Sequence, residues 1–153
     1  MIFSLFIDKM IRNISYNSKE LMEEITSSVG KSIPYLKRIR LRGIGSQRYV
    51  LFEASKELEE LISRDNNTNF CNIELRQKGI ILRFRSKLET YGWLVPYHLL
   101  SIFKSEDYYS IFAGAEFVRL KAAHNSSLNH KFIKKLLHQR TEYIQGFQQI
   151  DQL

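Results

Sequence analysis

Between Asn72 and Ala123 apolar and polar residues alternate in short runs broken by turn residues, the period of half-buried strands. Lys78-Gly79 reads as a two-residue turn, and folding about it sets Leu75 opposite Leu82, Ile73 opposite Phe84 and Glu74 opposite Arg83, with one face apolar and the other charged. Gly114-Ala115 has glycine first, as a type II′ turn requires, and sets Ile111 opposite Val118, Tyr109 opposite Leu120 and Phe112 opposite Phe117. A fold about Ser105 to Tyr108 then brings Ile102 opposite Ile111 and Leu100 opposite Ala113. Parity agrees across two consecutive hairpins, which a helical pattern would not produce. One more strand, from about Tyr91 to Tyr97, carries Trp93 and Val95 on one side and Leu94 on the other. Pro96 donates no hydrogen bond and therefore belongs at an edge, a bulge or a strand end.

The flanks follow a helical period instead. Phe3, Phe6, Ile7, Met10 and Ile14 predict an amphipathic helix, too short and too charged to span a bilayer and without the charge order or cleavage site of a secretory signal. It packs on the domain or lies in a membrane interface, and burial against a core is the commoner fate of such helices. A second helix runs from about Ser18 to Val29, capped by Asn17 with Glu20 three residues on and closed by Gly30. A third is predicted from Gln47 to about Arg64, with Ser46 as cap, Val50, Leu51, Ala54, Leu58, Leu61 and Ile62 inside, and Glu53, Glu57 and Glu60 outside. Between them, Lys31 to Arg48 is open to two readings. Ser32 and Pro34 can start a short helix that Gly43 ends, whereas Arg38 to Arg42 alternates as a strand does.

After the sheet, a helix from about Leu128 to Tyr143 has Phe132, Ile133, Leu136, Leu137 and Ile144 as its apolar stripe, and residues 146 to 153 are expected to fray. The polar run Asp65 to Asn69 separates a helical extension, 1–65, from the sheet and terminal helix, 66–146, within one structural domain. The predicted fold class is α+β: an antiparallel meander of about six strands, open or barrel-like, with a C-terminal helix and an N-terminal helical extension.

Composition narrows what such a domain can do. The chain has 153 residues, 44% apolar and 25% charged, enough for a core without covalent staples. Cys71 is the only cysteine, so no internal disulfide or cysteine-based zinc site forms, and a reducing, cytoplasmic setting fits. The net charge of +7 is concentrated early: residues 1 to 48 carry 9 Lys and Arg against 4 Asp and Glu. That balance favours anionic partners without specifying a site.

Two constellations stand out. In the first, Arg38, Arg40, Arg42, Ser46 and Arg48, with Gly43 and Gly45, would bind an anion if the glycines opened the predicted third helix, whose N-terminus favours negative charge. The segment lacks the lysine and spacing of a phosphate-binding loop, and a linker beside a solvated basic face explains it more simply. In the second, the hairpin register places Tyr108 beside Lys121, Ser110 beside Arg119 and Phe112 beside Phe117, so Tyr108, Phe112, Phe117, Arg119 and Lys121 form an aromatic and cationic surface. The plainer alternative covers Phe112 and Phe117 with the N-terminal helices, which must bury their own stripes somewhere. His98, His124, His130 and His138 are scattered outside any metal pattern, Cys71 has no nucleophile signature, and no hydrolase elbow is present. Catalytic residues, metal ligands and cofactors are therefore expected to be none.

The succession of hairpins, Gly79-Ile80-Ile81-Leu82, then Val95-Pro96-Tyr97 with an apolar Leu100 or Ile102 beyond, then a terminal helix, resembles the bacterial pleckstrin-homology-like domains over about residues 72–143. The resemblance implies a non-catalytic scaffold that binds peptides, proteins or lipids. The family usually has seven strands where six are legible here, unless Arg38 to Arg42 supplies another. The chain is thus read as a non-enzymatic binding module for a protein or peptide with some anionic character. Nucleic acid bound through residues 31–48 and the sheet face is the alternative, and peripheral membrane contact through residues 1–14 ranks below both. No transmembrane segment is expected.

Overall fold

The computed structural model describes residues 10–62, 69–123 and 126–151, with side chains to 146. Strand β1 is Ile11–Asn13, followed by helices α1, Lys19–Val29, and α2, Tyr35–Leu41. Strand β2, Tyr49–Ala54, and helix α3, Lys56–Leu61, lead into a meander of β3, Phe70–Leu75, β4, Gly79–Ser86, and β5, Glu89–Pro96. A short 3-10 turn, Tyr97–Leu99, precedes β6, Leu100–Lys104, β7, Tyr108–Ala113, and β8, Glu116–Ala122, and helix α4, Lys131–Asp151, ends the chain. All eight strands lie in one antiparallel sheet, ordered β1-β5-β4-β3-β2-β8-β7-β6. The fold is α+β with a C-terminal helix, as expected, with eight strands where about six were predicted.

The order dictates the shape. In sequence β5 and β6 are neighbours, yet six inter-strand spacings separate them in the sheet. A flat sheet would hold them roughly 29 Å apart at about 4.8 Å per spacing. The chain from Pro96 to Leu100 reaches about 14 Å at most, so the sheet must curl strongly. It remains open among the described residues, because the edge strands β1 and β6 do not pair with each other.

The curl encloses the main core. Ile80, Leu82, Trp93 and Val95 from one half of the sheet meet Tyr49, Leu51, Val118 and Leu120 from the other, and Leu58, Ile62, Phe132, Ile133 and Leu136 from α3 and α4 close it. On the opposite face, Ile25 and Val29 of α1 cover Ile81 and Leu94. Both faces are therefore buried over Gly79 to Leu82 of β4 and Gly92 to Pro96 of β5, whereas the outward side chains of β7 and β8, Ser110 apart, are half-buried or exposed.

Several local expectations change. The helix predicted over residues 3 to 14 falls mostly outside the described residues, and its last turn is instead β1, which pairs Ile11 with Trp93 and Asn13 with Tyr91. Met10 and Ile14 are four apart, a spacing that suits a strand as well as a helix. Over 47–64 the predicted helix is overturned for its first half. Tyr49 and Leu51 are buried in the main core while their backbone pairs with β8, and long-range pairing of aromatic and β-branched residues outweighs the local helical pattern. In 31–48 the helix reading holds: α2 starts after Pro34 and ends with Arg42 in the left-handed region at φ 59°. At α1 the cap is Ser18, whose Oγ accepts from Leu21 N, rather than Asn17. The terminal helix continues through Gly146 to Asp151 instead of fraying from 146. Pro96 ends its strand, as required.

Of the hairpins, β6-β7 and β7-β8 have the predicted registers, Ile102 to Ile111 and Ile111 to Val118 included. The β3-β4 register differs by two residues: Leu75 faces Ile80 and Ile73 faces Leu82. Gly79 is the first residue of β4 and accepts from Arg76 N at 2.9 Å, so Gln77-Lys78 is the turn, with Arg76 pointing inward to donate to Gly30 O at 3.2 Å and Ser32 Oγ at 2.7 Å. A shift of two preserves parity, so Glu74 and Arg83 still share a face and pair at 3.0 Å.

Candidate functional site

Strands β2, β8, β7 and β6 turn alternate side chains away from the core, and the aromatic and cationic residues predicted to share a face do so. Tyr108 pairs with Lys121, Ser110 with Arg119 and Phe112 with Phe117. Helix α1 packs over β4 and β5 instead, on the other half of the sheet. Tyr108, Phe112, Phe117 and Arg119 consequently remain half-buried and Lys121 exposed. The expectation that N-terminal helices would bury Phe112 and Phe117 is not met by the described helices.

The surface is larger than its predicted part. Phe52 of β2 meets Tyr108 edge-on with ring centroids 5.4 Å apart, and Lys121 Nζ lies 5.5 Å above the Phe52 ring. At the other side Phe103 of β6, 60% exposed, meets Phe112 edge-on at 5.5 Å, and Phe112 in turn lies 5.4 Å from Phe117. The guanidinium of Arg119 sits 5.0 Å over Phe117 and donates through Nη1 to Glu53 at 2.6 Å and through Nε to Ser110 Oγ at 3.3 Å. These contacts hold the rings at fixed tilts, which lowers the entropy lost when a ligand settles on them. Phe52 was illegible because its segment reads as helix. Phe103 was legible, since Ile102 opposite Ile111 already puts it on the face of Phe112.

Ser55 and Glu116 form one end of the surface, where Ser55 Oγ donates to the Glu116 carboxylate and Ser55 N to Phe117 O at 2.9 Å. Burial raises the Glu116 carboxyl above its ordinary pKa, the Ser55 hydrogen bond opposes that shift, and nearby Glu57 adds to it.

The basic segment does not make one anion site. Arg38 donates Nε to Ile33 O at 2.7 Å, while Arg40 and Arg42 point into solvent on α2. The Arg42 to Ser46 stretch follows the C-terminus of α2 and leads into a strand, so the favourable helix N-terminus expected there is absent, and the adjacent helix end carries the opposite dipole sign. Ser46 Oγ is committed to structure, accepting from Ile73 N at 2.8 Å and donating to Gln47 O at 2.7 Å. Arg48, with its guanidinium 4.4 Å over Phe70, borders a separate cleft of about 430 Å³ with Arg83 and Arg85.

No other chemistry assembles among the described residues. Cys71 is buried, and burial pushes its thiol far above its ordinary pKa. His130 hydrogen-bonds Tyr109, and His138 lies 3.0 Å from Glu142 on the surface of α4. No group of three or more His, Cys, Asp or Glu is placed to hold a metal among these residues, and none of their helices is long and apolar enough to cross a membrane. No protein-family model matches the sequence, no curated protein is similar to it, and no solved structure matches its fold.

Proposed function

We propose that the protein is a non-enzymatic binding module whose partner, a protein or peptide with some anionic character, lies across the outer face of β2, β8, β7 and β6. The observation that carries this reading is an aromatic strip that no described helix covers, Phe52 and Tyr108 at one end and Phe117, Phe112 and Phe103 at the other. Rigid, partly exposed aromatics framed by cations are the composition of interface anchors. Lys121 and the N-terminal charge excess favour acidic groups in the partner. The resemblance to pleckstrin-homology-like domains fits the same reading, since β2 to β8 supply seven consecutive strands before the terminal helix, with β2 as the seventh.

Nucleic acid is the second reading, favoured by the cation-aromatic pairs Arg48–Phe70 and Lys121–Phe52. It ranks lower because Arg119, at the centre of the face, already has Glu53 as its counter-ion. The test is capture from nuclease-treated host extract on the immobilised chain. The double substitution Phe112→Ser and Phe117→Ser is expected to abolish retention of a specific polypeptide without changing the fold. Retention that disappears with nuclease, or is indifferent to the substitutions, contradicts the proposal.

A further inference from the structure

We infer that helix α2 is a docking knob for an anionic phospholipid surface, separate from the aromatic sheet face. Apolar side chains of a packed helix face inward; on α2 they face outward. Tyr35 is 75% exposed, Leu36 77% and Ile39 58%, whereas Leu41 alone packs against the main core. The outward trio lies at i, i+1 and i+4, on one side of the helix. Exposure this high describes a projecting knob and not a groove.

The charge around the knob is predominantly positive. From Ile25 to Phe52 the sequence contains no acidic residue, and Lys31, Lys37, Arg40 and Arg42 lie next to or within α2. The β3-β4 turn adjoins this end of the molecule, with Gln77 N donating to Lys31 O and Gln77 Nε2 to Ser32 O, and it brings the exposed Lys78. Glu142 of α4, which borders the hollow beneath Lys37 and lies 3.0 Å from His138, is the one acidic residue lining that hollow among the described residues.

Few occupants suit both features. A second copy of a chain with net charge +7 would bring like charge to the same collar. Nucleic acid would use the cations and leave Leu36 and Ile39 in water. A protein groove requires roughly 800 Å² from each side, more than three side chains on a two-turn helix supply. A deformable bilayer interface takes aliphatic side chains below the headgroups, a tyrosine at headgroup level, and basic side chains whose stems extend back to lipid phosphates.

The experiment is co-sedimentation of the full chain with vesicles of phosphatidylcholine alone and with vesicles containing roughly 30% phosphatidylserine, a composition at which basic clusters bind measurably. Binding is expected only to the anionic vesicles. Leu36→Ser with Ile39→Ser, which leaves charge unchanged, and Lys37→Gln with Arg40→Gln should each weaken it about tenfold. Lys131→Gln with Lys134→Gln, equal in charge but on α4, should leave it unchanged. A Tyr35→Trp variant should show blue-shifted emission on anionic vesicles. Lys37 is half-buried and the other substituted positions are exposed, and circular dichroism should report an intact fold for every variant. Binding to neither vesicle type, binding indifferent to Leu36 and Ile39, or equal loss from the α4 substitutions would overturn the inference.

Discussion

Individual side chains separate what holds the fold from what remains available. Tyr49 is fully buried with its ring edge-on to Tyr109, yet its hydroxyl has no hydrogen-bond partner among the described residues. A hydroxyl desolvated without a partner costs free energy, so Tyr49→Phe should leave the protein about 1 kcal/mol more stable; a loss of stability would reveal a partner for that oxygen. Glu116 gives a pH signature. Its folded pKa is raised, so the native state binds the proton more tightly than the unfolded chain. Its contribution to stability is fully present below the ordinary carboxylate pKa and is lost as pH rises through the raised folded value. Glu116→Gln should therefore flatten the fall of the denaturation midpoint across that mildly acidic window. An unchanged slope would place the group at its ordinary value.

At the scale of elements, close packing between strands sets the limits. A Cβ on Gly79 would lie 2.4 Å from Val95 O, 2.9 Å from Pro96 Cα and 2.9 Å from Val29 Cγ1, because β4 begins where β5 ends and α1 presses on both. Gly79→Ala should cost about 1–3 kcal/mol, the usual range for overpacking. Gly45→Ala, with open space around the new atom, should change stability by less than about 0.5 kcal/mol. Equal effects in chemical denaturation would contradict this packing. The same elements show what was legible in the chain. The β6-β7-β8 registers followed from alternation and turn residues because those interactions are local, and the cationic and aromatic face followed from them. The turn at Gly79 was misplaced by one residue, and the register with it by two, because buried Arg76 fixes it through Gly30 and Ser32, far away in sequence. Strand β2 was hidden because its pairing with β8 spans more than sixty residues, and Phe52 and Glu53 were hidden with it.

For the whole molecule, the determining feature is the curl forced by the short Tyr97–Leu99 link between β5 and β6. Curling buries the inner face of the sheet, α1 covers part of the outer face of β4 and β5, and no described helix covers the outer face of β7 and β8, an asymmetry that is invisible in any local pattern. The partner's place can be read directly with a photo-crosslinking side chain at single positions in the native host. Position 103, at the edge of the aromatic strip, should trap one discrete polypeptide, while position 88, 89% exposed in the β4-β5 turn, should trap none. Crosslinks from 88 and silence from 103 would contradict a partner on the aromatic face.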